Sequence, residues 1–513
     1  MAHSQLPSQS HSYWRDTASI KEFPPLDTSI DTEVGIVGGG ITGITAAYLL
    51  TKNNINVTLI DANPILKGTT GHTTAKITAQ HGLIYDEIIQ HFGVDQAMLY
   101  YKAMDEAKQF IENTVKELTI ECDYRKEHAY IFTNCEKWQH DLEKEKNAYD
   151  QIKIKSELLD QMPLKIPMKS ALQMKNQAQF HPLKYLTALL DASIKNGLNI
   201  YENTVAVDMD DNRTNPSIIT KEGHRIKCNY IISASHFPFY DRDSFYFTKM
   251  YAERAYVLAV QSAKEYPGGM YINAESPTRS VRTTNWNGKK LWLISGENHK
   301  TGQGKQTHEH YKALQAFADE HFQVKSYDYR WSAQDLTTLD KIPYIGKLKK
   351  SQPKVFVATG YRKWGMTNGT VAARLLSDLI INETSEYADV FNPSRFKADP
   401  SIRKFTQINT DVAKHMIKGK LDNTNPYIEQ LQSDQATVTR INGNRAGVYK
   451  DKENQVHIVD TTCTHLRCEV EWNSGERTWD CPCHGSRFSY TGEVINGPAS
   501  KPLQKIDPDE LTK

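Results

Sequence analysis

The stretch VGIVGGGITGITAAYLLTKNNINVTLID, residues 34–61, decides the fold of the larger part of the chain. It opens with a short apolar run, the pattern of a buried strand, and runs into glycines. ITGITAAYLLTKNN (41–54) then reads as a helix, and VTLID (57–61) as a second buried strand. Strand, glycine turn, helix, strand is one βαβ unit. Gly38, Gly40 and Gly43 stand in a G-x-G-x-x-G pattern where the strand meets the helix. Glycine there lets the backbone approach a pyrophosphate at the helix N-terminus. Asp61 closes the second strand, where an acid accepts from ribose hydroxyls. A glycine motif alone is weak; inside a complete βαβ unit with the acid in place it predicts a dinucleotide site. The competing reading is a glycine-rich turn that binds no nucleotide. The fingerprint by itself does not choose between FAD and NAD.

Outward from this unit, residues 1–30 are polar and Ser/Pro-rich, an irregular lead-in. Residues 85–118 carry apolar side chains at helical spacing, and 181–197 reads as a helix with Pro182 in its first turn. Residues 229–235 and 354–360 are further buried strands, with a helix over 371–380 behind the second. Short alternating runs across 240–330 predict an antiparallel sheet. A polar stretch rich in Asn, Asp, Pro and Lys marks a linker at 386–425, one that lets the parts swing. From 426 to 513 the pattern is short strands and turns. The fold class is therefore an α/β Rossmann-like domain over 31–385 with an antiparallel-sheet subdomain, followed by a small all-β domain.

The chain has seven cysteines, and four of them, Cys463, Cys468, Cys481 and Cys483, crowd near the C-terminus. A secreted disulfide scaffold spreads its cysteines and follows a signal peptide, and the N-terminus shows no such peptide. The local cluster points to metal or redox chemistry. Cys463-Thr-His465 and Cys481-Pro-Cys483-His484 each offer a thiolate and an imidazole at short spacing. Two thiolates and two neutral imidazoles suit a mixed-ligand iron–sulfur pair. A Cys2His2 zinc site and a plain disulfide pair are the alternatives, although zinc frameworks usually space these ligands differently.

The last 90 or so residues closely resemble the Rieske [2Fe–2S] family. The resemblance implies Cys463, His465, Cys481 and His484 as metal ligands and a disulfide between Cys468 and Cys483. It implies Ser486 as a donor to a cluster sulfur and the segment Gly497-Pro498-Ala499 as a covering loop. Phe488 stands where high-potential members carry a tyrosine, which implies one donor fewer and a lower potential. Arg467 replaces a common glycine.

Residues 31–385 resemble the FAD-dependent D-amino-acid-oxidase superfamily, with low identity in the middle. Gly68-Thr69-Thr70-Gly71-His72-Thr73 lies where that family runs a segment along the flavin. Thr204-Val205 resembles its adenine-contacting strand, and 358–367 its late glycine segment. The resemblance implies Thr69, Thr70, His72, Thr73, Val205, Gly360, Gly365, Met366 and Thr367 as FAD neighbours. His72 also matches a histidine bonded covalently to flavin in dimethylglycine and sarcosine dehydrogenases; a histidine that only lines the site is the other reading. Arg254, Tyr256, Lys363 and Trp364 are weak catalytic candidates, and Arg282, His236 and Tyr240 share their region.

The formal net charge is +1, which implies no basic face for nucleic acid. No apolar run reaches the length of a membrane span. The expectation is a cytoplasmic enzyme that oxidises a small-molecule substrate, an amine or amino acid, at FAD. It would pass electrons singly through a Rieske [2Fe–2S] cluster to a one-electron acceptor. A reductase feeding a separate oxygenase is an alternative, but no second glycine fingerprint for NAD(P)H is found. A non-enzymatic redox-sensing module is another.

Overall fold

A computed structural model of the chain describes residues 5–210, 214–241, 244–304, 306–349, 351–395, 398–421, 428–441 and 443–507. The βαβ unit forms as read: β1 (Ile30–Val37), α1 (Ile41–Lys52) and β2 (Val57–Ile60) follow one another. β1 pairs in parallel with β2 and with Arg225–Ser233, which pairs in parallel with Gln352–Thr359. Every residue of β2 is buried, the signature of a strand covered on both faces. A further helix, α2 (Gly365–Ile381), packs across α1. Gly369 permits the close approach, since a Cβ there would lie 2.7 Å from Ile41 Cγ2.

The second sheet is larger than 240–330 alone. Its order runs from Val324–Thr338 through Met250–Ser262, Lys289–Lys300, Arg279–Trp286 and Met270–Asn273. It continues through Arg125–Thr133 and Ser170–Gln179 to Lys76–Ile77. The strands from 125–133 and 170–179 join from a stretch whose mixed, charged sequence showed no clean period. Beyond residue 434 lie a three-stranded and a four-stranded antiparallel sheet, as the short alternating runs predict.

Two stretches are more structured than their composition suggests. Within the lead-in, Tyr13–Asp16 is a helical turn, and Trp14 is wholly buried, its Nε1 donating to the Thr73 carbonyl at 2.7 Å. Within the stretch read as linker, α3 (Ala398–Leu421) forms a helix that leans on both domains. Lys404 reaches Glu87 at 3.1 Å, Asn409 donates to the Thr248 carbonyl, and Asp411 pairs with Lys300 at 2.8 Å. Residues 396–397 and 422–427, at its ends, lie outside the described residues. Among the described residues no helix is long and apolar enough to cross a membrane.

Candidate functional site

The four cysteine and histidine candidates of the C-terminal domain come together from two turns. Cys463 and His465 follow the strand Val456–Asp460, and Cys481 and His484 follow Thr478–Asp480. Backbone bonds hold the turns: the Cys463 amide donates to the Cys468 carbonyl at 2.8 Å, and the Cys481 amide to that of Ser486 at 2.7 Å. Cys463 and Cys481 are each 1% exposed, and the two imidazoles stand perpendicular with centroids 5.1 Å apart. Cys468 and Cys483 form a disulfide across the turns, as the resemblance implies.

The two thiols are unequal. The neighbouring Cys481 thiol, then the amides of His465 and Leu466 and the Ser486 hydroxyl, pull the Cys463 thiol down to about 7. The Cys463 side chain, then burial, pushes the Cys481 thiol up. Burial pushes His465 down to about 4 and His484 to about 3, so both are neutral, the form in which imidazole ligates a metal. His484 Nδ1 is a buried nitrogen with no hydrogen-bond partner, costly unless a ligand meets it. Ser486 Oγ accepts from the Ala499 amide at 3.0 Å, which leaves its own hydrogen to donate.

At the other end, Gly38 has φ +116°, and a Cβ at Gly43 would collide with the Gly38 carbonyl oxygen. The glycine turn therefore stays bare at the α1 N-terminus, the shape a pyrophosphate needs. Asp61 Oδ2 accepts from the Gly39 amide at 2.7 Å and Oδ1 from Asn63 at 2.8 Å. Burial pushes its carboxyl up to about 6. Thr70 Oγ1 accepts from the Ile41 amide at 3.1 Å, so the 68–73 segment joins the same helix end. Val205 keeps its carbonyl on the Lys221 amide. Gly360 has φ +81°, and Gly365, Met366 and Thr367 open α2. Tyr361 OH sits 2.8 Å from Thr42 Oγ1, tying this late segment to α1. His72 Nδ1 lies 2.9 Å from the Gly68 carbonyl, leaving Nε2 for other contacts.

Comparison with known proteins agrees with both ends. The family model described as FAD dependent oxidoreductase matches residues 33–379, and the Rieske [2Fe-2S] domain matches 425–507. The chain belongs to the FAD-dependent oxidoreductase family. This flavoenzyme also carries a C-terminal Rieske domain, and its cofactors are FAD and a [2Fe–2S] cluster. A Rieske 2Fe-2S iron-sulfur protein of Bacillus subtilis, YhfW, is 48% identical over 497 residues, 97% of either chain. Gamma-glutamylputrescine oxidoreductase of Escherichia coli is 24% identical over 414 residues, 72% of this chain and 89% of its own. Glycine oxidase from Geobacillus kaustophilus shares the flavin-domain fold at a TM-score of 0.60 and 16% identity, over 71% of this chain and 99% of its own.

The Rieske domain of this flavoenzyme is docked on the flavin domain. Phe247 packs its ring 5.5 Å from that of His465 and 5.3 Å from that of His484. Gln303 Nε2 donates to the Pro482 carbonyl at 3.0 Å, and Thr307 Oγ1 to Asn473 at 2.6 Å. A Cβ on Gly302 would lie 2.5 Å from Pro482 N. Two of the weak catalytic candidates, Arg254 and Tyr256, lie at this seam. They share a strand face with Ala252, which abuts Gly485, because alternate residues point the same way. Arg254, 1% exposed, bonds Ser332 and Gln334 and lies 3.7 Å from Asp480. Tyr256 OH is 3.0 Å from His299 Nε2 in a ring stack with His310. Lys363 is buried beside Glu253 and Asp335, and burial lowers its pKa. Trp364 stacks on His81 at 5.0 Å. Arg282 donates to the Ala75 carbonyl at 2.7 Å and lies over Trp14. The His236 carbonyl accepts from Thr359, and Tyr240 is buried.

Sequence reasoning missed Lys76, Phe247 and Gln334. Lys76 offered one signal, a lone cation inside the apolar run that follows Thr73-Thr74-Ala75. Phe247 and Gln334 offered none, since their partners in the Rieske domain lie more than a hundred residues away.

Proposed function

We propose that this flavoenzyme oxidises a small amine or amino acid in its flavin half and passes the electrons singly through the Rieske domain to an external one-electron acceptor. The observation that carries the reading is the buried seam: the ligand turn 481–484 is packed against the sheet of the flavin domain. Bound FAD supplies a two-electron acceptor for a substrate C–H, and a bound [2Fe–2S] cluster a one-electron carrier.

The residues would divide the work as follows. Gly38, Gly40 and Gly43 would receive the pyrophosphate, Asp61 the ribose, and the Val205 backbone the adenine. Segments 69–73 and 360–367 would line the ring. Cys463 and Cys481 would bind one iron, and His465 and His484 the other. Lys76 and Arg282 would meet a substrate carboxylate. Arg282 is buried and Lys76 half-buried, and neither forms an ion pair among the described residues. Burial, then the charges of Arg282 and Lys363, pushes Lys76 down to about 7. An anion between them would relieve that repulsion. Support for an amine comes from the relative named for gamma-glutamylputrescine.

Anaerobic mixing with a panel of amines, amino acids and NAD(P)H tests the reading. The expected result is flavin bleaching by an amine or amino acid, followed by loss of oxidised-cluster absorbance. Bleaching by NADH alone would overturn it.

A further inference from the structure

We propose that Gln334 is a positioning residue that sets the spacing between the two redox halves, tying the Rieske ligand turn to the flavin-flanking segment. The proposal rests on passage of electrons between the halves and names the contact that governs it.

Gln334 is 3% exposed and uses both ends of its amide. Its Nε2 donates to the Gly485 carbonyl at 2.8 Å, one residue past His484. Its Oε1 accepts from Arg254 Nη2 at 3.2 Å and from the Thr301 hydroxyl at 3.0 Å. Its backbone carbonyl accepts from the Thr69 hydroxyl at 3.0 Å. One buried residue therefore touches the turn that carries Cys481 and His484 and the segment that runs from Thr69 to Thr73.

Arg254 completes the grip. It lies 3.7 Å from Asp480, the residue before Cys481, while Gln334 holds Gly485. Both ends of the ligand turn are thus bracketed from the flavin domain. Steric contact removes the remaining slack. Gly485 has φ +79°, and a Cβ there would overlap the Cβ of Ala252 and come 3.2 Å from Gln334 Nε2. The amide supplies a donor for Gly485 and an acceptor for Arg254 and Thr301 at once. Such a buried network favours one arrangement; a site left without this support loosens by an ångström-scale amount.

Each substrate oxidation releases an electron pair. The pair crosses this contact as single electrons, and two equivalents of an external one-electron oxidant close the balance.

The test uses the full-length holoprotein under anaerobic EDTA–light photoreduction of the flavin, with flavin and cluster absorbance followed separately. Hydrogen–deuterium exchange of the peptide around 480–486 is measured alongside. In Gln334→Leu and Gln334→Glu the cluster step slows about tenfold, the factor for a lost contact of ~1.4 kcal/mol. Flavin photoreduction and iron content stay at wild-type values, and exchange at 480–486 quickens. Gln334→Glu keeps the acceptor and the shape, so it answers if the leucine variant does not fold. A wild-type cluster step in either folded variant overturns the proposal, even if exchange rises. If the wild-type protein itself shows flavin reduction and no cluster reduction, the proposed function falls and takes this inference with it.

Discussion

The two halves of this flavoenzyme build their sites in opposite ways. The Rieske half gathers its four candidate ligands from residues 463–484, on two turns joined by a disulfide. The candidate flavin contacts at residues 38–43, 61, 69–73, 205 and 360–367 are set by sheet order and the packing of α1 on α2. A compact site depends on its own backbone bonds; a dispersed one depends on the whole domain's core. The difference predicts that damage to one half stays local and that the two sites fail for different reasons.

The largest expected effect is at the cluster. Cys481→Ser should abolish iron and acid-labile sulfide while flavin absorbance remains. Loss of both from one substitution would break the comparison, since the halves would then not fold independently. Next comes the glycine turn. Gly43→Ala drives a Cβ into the Gly38 carbonyl, and backbone cannot yield as a side-chain tip does. An overpacking cost of ~1–3 kcal/mol corresponds to FAD affinity weakened roughly tenfold to a hundredfold, read by flavin titration of the apoprotein. Cluster content should not change. Measured as cofactor lost, the disulfide gives the smallest effect, because its removal should leave both cofactors bound and shift only thermal stability. Cys468 and Cys483 are 15 residues apart, and a loop of that length is worth about 3 kcal/mol. In the Cys468→Ser/Cys483→Ser double variant the cluster's thermal bleaching should move to lower temperature, with the flavin transition unmoved. A matching fall in the flavin transition would show that the seam transmits stability, which sharpens the comparison.

Legibility in the sequence follows the same division. The cluster motif was legible as a unit, because its candidate ligands are neighbours in the chain and the chemistry requires Cys and His at fixed spacing. The glycine turn was legible for a similar reason: Gly38, Gly40 and Gly43 answer to a backbone geometry that local spacing encodes. The strands at 125–133 and 170–179 were not. They alternate imperfectly, and their pairing partners lie far along the chain. What Arg254 and Tyr256 meet was not legible, because the strand period tells which residues share a face and says nothing of what that face meets. The lead-in and the stretch 386–425 read as irregular from composition, whereas burial of Trp14 and the ion pairs of α3 come from tertiary partners.

From the sequence alone followed two cofactor types, two domain classes and the Cys/His pairs that the two turns bring together. These depend on local spacing and on side-chain chemistry, which the chain carries with it. The tertiary structure alone decided that the halves are docked, that Phe247 covers the two imidazoles, and that Gln334 and Arg254 grip both ends of the ligand turn. Those contacts join residues more than 130 positions apart. No periodicity or motif records such a meeting, because it exists only once both cores have formed and their surfaces exclude water between them.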